Sequence, residues 1–174
     1  MLLDGYWKKD LKKIVKSLVF WSRHRYQFLR GYSEHKVNCG FLLSAAIIRK
    51  IVEDEKDAHK KIKVAGLFMP KLPVIKMSVP IKKYPHIDEE KFFANSHVFL
   101  KDYNLEHGVE ESASIWWVCN QIIHSYAWAI VYQKDEGVYG VLLASDQYKE
   151  EGICLLAIRD WVDVIRFVIE EAAI

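Results

Sequence analysis

The apolar residues of this chain change period partway along it, and that switch limits the folds open to it. Trp7, Leu11, Ile14, Leu18 and Trp21 recur in alternating steps of four and three, and Phe28 continues the series. Such spacing lines up one face of a helix, and that face must be buried against something. Val37, Phe41, Leu42, Ala45, Ile48, Ile51 and Val52 repeat the pattern over a second long stretch. After residue 63, β-branched residues punctuated by Pro70, Pro73 and Pro80 take over. Alternation of period two places side chains on opposite faces of a strand. A chain with both periods needs helices and a sheet that share a core.

The spacing predicts helices over residues 6–30 and 34–61, with Gly31 closing the first and Ser33 capping the second. Extended segments are expected at 63–69 and 74–82, where Lys71, Lys76, Lys82 and Lys83 would keep a sheet edge charged. Residues 84–110 read as a short helical turn opened by Asp88, then an irregular connection to Gly108. A third helix is expected from Glu110 to Ser125, its first-turn acids suited to the helix dipole. Strands follow at 127–132 and 138–144 around a Lys134-Asp135-Glu136-Gly137 turn, with another at 153–158. A last helix over 160–171, capped by Asp160, would bury Trp161, Val164, Ile165 and Val168. The expected fold class is α+β, a helical bundle with a small, mostly antiparallel sheet. All 174 residues fit one domain, enough chain to bury about two-thirds of its unfolded surface.

Charge is unevenly distributed. Residues 1–83 hold 19 of the 25 Lys and Arg but only 7 of the 23 Asp and Glu. A basic half can face nucleic acid or an acidic protein, or it can pack against the acidic half and be neutralised. Lys9, Lys16, Arg23 and Arg30 recur every seven residues, opposite the aromatic stripe of the first helix. Lys9, Lys12, Lys16 and Arg23 are therefore the candidate RNA-phosphate contacts, with a solvated helix face as the plainer reading.

Cys39, Cys119 and Cys154 are odd in number and lack the spacing of a disulfide framework or a zinc knuckle. His59, His86, His97 and His107 show no metal-ligand spacing either. There is no Gly-rich phosphate loop, no Gly-x-Ser-x-Gly elbow and no His-Glu-x-x-His helix. No cofactor and no metal are expected. The start, Met1-Leu2-Leu3-Asp4, meets acid before any apolar run, and no apolar stretch approaches the ~20 residues of a membrane span. A cytoplasmic protein without a membrane partner is the expectation.

One segment looks like part of a site: Cys119-Asn120-Gln121-Ile122-Ile123-His124-Ser125-Tyr126. On a helix, Asn120 and His124 share a face with about 6 Å between Cβ atoms. A neutral imidazole beside an amide has the make-up of a general base with an orienting partner. Trp116, Trp117, Trp128 and Trp161 are able to stack bases, although core packing explains them as well.

This segment resembles the signature of the HEPN superfamily, helical-bundle proteins that include metal-independent RNases of toxin–antitoxin and antiviral systems. Their motif is Arg, a polar residue, three residues, then His; in one branch, paired with minimal nucleotidyltransferases, His is followed by any residue and Tyr. Asn120, His124 and Tyr126 match, and Cys119 stands where the family has Arg. The resemblance implies Asn120, His124 and Tyr126 as catalytic-site residues, a homodimer, and RNA or a nucleotidyltransferase as partner. A metal-free RNase needs a base for the ribose 2′-hydroxyl and a cation for the charge growing on phosphate. Cys119 cannot supply that charge, so Arg49 or another cation must substitute, or the copy has lost the chemistry. Three readings follow: a non-catalytic RNA- or protein-binding module, an endoribonuclease with His124 as base, and an interaction subunit of unrelated fold in which His124 closes a helix.

Overall fold

The computed structural model describes residues 6–24, 30–64, 74–86, 100, 103–133, 137–149 and 151–171. In chain order they form α1 (Tyr6–Arg23), α2 (Arg30–Val64), β1 (Ser78–Tyr84), β2 (Val109–Ser114), α3 (Ile115–Ile123), β3 (Ser125–Tyr132), β4 (Val138–Ser145), β5 (Ile153–Ala157) and α4 (Ile158–Glu171). The strands make one sheet in the order β2-β1-β5-β4-β3, antiparallel at every pairing.

The expected bundle with a small sheet is corrected here. The helices share their core with a five-stranded sheet rather than closing on one another. Strand alternation shows how. Val141, Leu143, Cys154 and Leu156 join the large core with Leu11, Phe41, Ile48, Ile122 and Trp161 from the four helices. Their neighbours Leu142, Ala144 and Ile153 point the other way into a second cluster with Tyr84 and Tyr103. With both faces covered, β4 is buried along nearly its whole length. Each fully buried aliphatic or aromatic side chain contributes ~1.5–3 kcal/mol, so such two-sided strands add to the core beside the helical stripes.

The aromatic centre ties α2, α4 and β3 together. Trp161 is fully buried and donates from Nε1 to Ser44 Oγ at 2.9 Å. Phe41 stacks on Trp161 with centroids 6.1 Å apart, and meets Trp128 edge-on at 5.9 Å. Trp128 Nε1 donates to Asn38 Oδ1 at 2.6 Å. Next to this cluster α1 crosses α2 closely: a Cβ on Gly40 would lie 2.9 Å from Leu18 Cδ2.

Other boundaries moved for local reasons. α1 ends at Arg23, and residues 25–29 lie outside the described residues. Gly31 and Ser33 are interior to α2, with Ser33 buried rather than capping. Leu42, assigned to the buried face, is exposed beside Leu43. The segments around 65–73 and Asp88 fall outside the described residues, and Lys63 belongs to α2. Glu110 and Glu111 do not open a helix: they sit on β2, where Glu110 pairs with Lys82 across the ladder. The third helix starts five residues later, where Ser114 Oγ accepts from Trp117 N at 3.3 Å. β1 is interior rather than an edge, lying between β2 and β5. Pro80, which has no N–H to give, pairs only toward β2, because contact with β5 is confined to Lys82–Tyr84. The basic half thus threads a strand between two strands of the acidic half, and Lys83 Nζ lies 3.6 Å from Glu151. Ile158 begins α4, so Asp160 is in its first turn rather than at its cap; Trp161, Val164, Ile165 and Val168 are buried as expected.

Candidate functional site

α3 is short because both ends are fixed. Ile115, Val118 and Ile122 bury one face, and His124 closes the helix by donating its backbone N–H to Asn120 O at 2.9 Å. The chain then enters β3 directly, with Ser125 Oγ donating to Gln121 O at 2.7 Å. Gln121, 1% exposed, accepts from Ser145 N at 3.0 Å and pins α3 to the end of β4. His124 is thereby held beside the turn that follows β4.

Facing it is the middle of α2. Arg49 Nη1 lies 3.1 Å from His124 Nε2. A guanidinium only donates, so Nε2 accepts and the neutral imidazole carries its proton on Nδ1. Arg49 Nε also donates to Glu53 Oε1 at 3.3 Å. Both Arg49 and Lys56 lie over the ring of Trp116, at 5.1 and 3.6 Å from its centroid. Arg49, His124 and Trp116 line a cleft of about 520 Å³, with Trp117 and Asn120 from α3 and Asp146, Gln147 and Tyr148 from the turn; Lys56 stands beside it, over Trp116. Trp117 and Tyr148 meet edge-on at 5.7 Å, forming an aromatic wall.

The structure brings together some of the expected residues and separates others. Asn120 and His124 share the cleft, but the amide does not orient the imidazole: Asn120 Oδ1 is buried without a hydrogen-bond partner, and Arg49 holds the ring instead. Tyr126 is absent from the lining. It sits at a bulge between Ser125 and Ala127, is exposed, and has Lys149 Nζ 4.5 Å over its ring. Lys9, Lys12 and Lys16 are exposed on α1, and none lines the cleft. Arg23 lines a different cleft, against α4. Lys56, Asp146, Gln147 and Tyr148 had no signal in the sequence. Arg49 is 75 residues from His124, and only the need for a cation pointed to it.

Cys119, at the position of the family's Arg, is fully buried under the cleft, and burial pushes its thiol up to about 12 against the opposing charge of Arg49. Burial raises Cys154 to about 12 as well. A thiol reacts as thiolate, so both should resist alkylation of the native protein at pH 8 while the partly exposed Cys39 reacts. Mass spectrometry after brief iodoacetamide treatment should find one label at Cys39; rapid modification of Cys119 would contradict the placement.

Compared with known proteins, the chain matches no family model, no curated protein and no solved structure. Among the described residues, no helix is long and apolar enough to cross a membrane.

Proposed function

We propose that this protein is an RNA-binding module whose cleft between α2, α3 and the turn after β4 takes a phosphate and an adjoining base of a single strand. The observation that carries the reading is the Arg49–His124 contact of 3.1 Å, which sets a guanidinium and an imidazole side by side in a cleft. Arg49 supplies charge for the phosphate inside the cleft and Lys56 adds to it from beside the cleft, and guanidinium geometry suits the phosphate oxygens. Trp117 and Tyr148 offer ring surface for a base, a contact that tolerates any sequence. The likeness of the Asn120–Tyr126 segment to the HEPN signature agrees with RNA as ligand, although the bundle of that family is not the frame around it. Leu42 and Leu43, exposed on α2, are the apolar surface on which a homodimer would form.

The same contact favours a second reading, a metal-independent endoribonuclease. Arg49 brings from α2 the cation that Cys119 cannot provide. In that reaction Arg49 swings onto the phosphate and His124 Nε2 takes the 2′-hydroxyl proton. The 2′-oxygen then attacks phosphorus, and the 5′-oxygen leaves with a proton from solvent.

Titration of a fluorescent single-stranded RNA separates these readings. Binding should weaken with salt by about 0.7 log units per log unit for each phosphate contact. If the protein also cleaves, cleavage should persist in chelator and vanish in His124→Ala, whose exposed side chain costs little stability to remove. Bound RNA that stays intact would leave the binding module and remove the RNase. No association at low ionic strength would remove both.

A further inference from the structure

A second cleft, between α1 and α4, gathers arginines that the proposed RNA cleft does not use. Arg23 ends α1, and Arg159 and Arg166 reach the same cleft of about 410 Å³ from α4. On α4, Arg159, Asp163 and Arg166 are four and three residues apart, so they share a helix face. Among the described residues Asp163 is the only carboxylate in the lining, and it already accepts from Arg166 at 3.0 Å; Asp160, which feels the charge of Arg159, lines a different cleft. Among the described residues Arg23 and Arg159 have no ion pair. Ser22, also in the lining, spends its hydroxyl on Val19 O at 2.9 Å. Val19, Ile158 and Val162 complete an apolar floor.

Three guanidiniums against one carboxylate, in a concave site with an apolar floor, concentrate positive potential where an anion would enter. Exposed arginines repel one another, and Asp160 and Asp163 offset the three only in part, which fits a site that is completed by a ligand. We infer that this cleft binds a multiply charged phosphate group. The guanidinium forks of Arg23 and Arg159 match two charges and several acceptor oxygens, which a phosphate ester or pyrophosphate offers and a single carboxylate does not. The chemistry is shared by a free di- or triphosphate and by the phosphorylated 5′ end of an RNA.

The test uses the full chain carrying Arg49→Ala, so that the first cleft does not contribute. Inorganic pyrophosphate is titrated by calorimetry at low ionic strength. Saturable one-site binding is expected, weakened about tenfold or more by Arg23→Gln or Arg159→Gln, the usual scale for losing a charge-assisted contact. Asp163→Asn should tighten it severalfold by removing the competing carboxylate. Circular dichroism should show each variant folded, since Arg23, Arg159 and Asp163 are exposed and Arg49 is only half-buried. Pyrophosphate that does not bind, or binding indifferent to Arg23 and Arg159, would overturn the inference. A 5′-triphosphorylated RNA compared with its 5′-hydroxyl form then distinguishes the source. Tighter binding of the triphosphate, lost in Arg159→Gln, assigns the site to RNA ends. Equal binding alongside a positive pyrophosphate result assigns it to a free anion. Because none of these residues lines the Arg49 cleft, this inference and the RNA proposal fail separately.

Discussion

Arg49→Ala is expected to weaken single-stranded RNA binding by roughly ten- to a hundredfold and to leave the domain folded. Under the proposed reading the lost interaction would be a charge-assisted hydrogen bond to phosphate, which contributes ~1.5–3 kcal/mol, and each 1.4 kcal/mol is about tenfold in affinity. The salt dependence should flatten by about 0.7 log units per log unit, the signature of one missing phosphate contact. Stability should change little. The side chain is 30% exposed and its partner Glu53 is 39% exposed, and pairs this accessible stabilise by at most ~1 kcal/mol. Arg49→Lys is the informative companion. It keeps the charge but loses the planar fork that reaches His124, Glu53 and a phosphate together, so affinity should fall between wild type and Ala. Unchanged RNA affinity in Arg49→Ala, measured by anisotropy, would take the cleft out of the account.

The largest effect on stability is expected from Trp161→Ala. Trp161 has no exposed surface, stacks on Phe41 and donates to Ser44 Oγ. Emptying such a site costs ~3–5 kcal/mol, from lost transfer energy and from a cavity that the neighbours fill only in part. Ser44 should not add much to that loss, because its hydroxyl keeps donating to Gly40 O at 2.6 Å. In a domain of this size, 3–5 kcal/mol is about 6–20 °C in melting temperature. Urea unfolding followed by circular dichroism checks it. A loss below ~1 kcal/mol would mean that the aromatic centre of α2, α4 and β3 is not packed as described.

Much of the helical part was legible because its signal is local. The four-and-three steps from Trp7 to Trp21 carry a whole helix face, and the buried residues of α4 follow the same rule. The sheet was less legible because its decisive partners are distant. Glu110 and Glu111 satisfy a helix-dipole rule within their own segment, yet pairing with Lys82 and Ile81 makes them a strand. Pro80 suggested an edge, and only the register shows that β1 is flanked on both sides over just its last residues. A bundle was expected because strands buried on both faces, such as β4, do not advertise the amount of core they carry. The site divided in the same way. Asn120 and His124 were visible because they are four apart, whereas Trp116 becomes part of the cleft only when α2 lays Arg49 and Lys56 over it. Tyr126 matched a motif by position, but it sits at the bulge beside Ser125 and is absent from the cleft lining.

The central claim is that RNA enters the cleft at the Arg49–His124 contact. Nuclear magnetic resonance of the full chain with ¹⁵N-labelled histidine reads that contact directly, because Nε2 of His124 accepts from Arg49 in the absence of RNA. On titration with a short single-stranded RNA, the His124 Nε2 signal should move saturably. It should do so with the same midpoint as anisotropy, while the signal of His107, which lies outside the cleft, stays still. RNA that binds by anisotropy while the His124 signal does not move would contradict it.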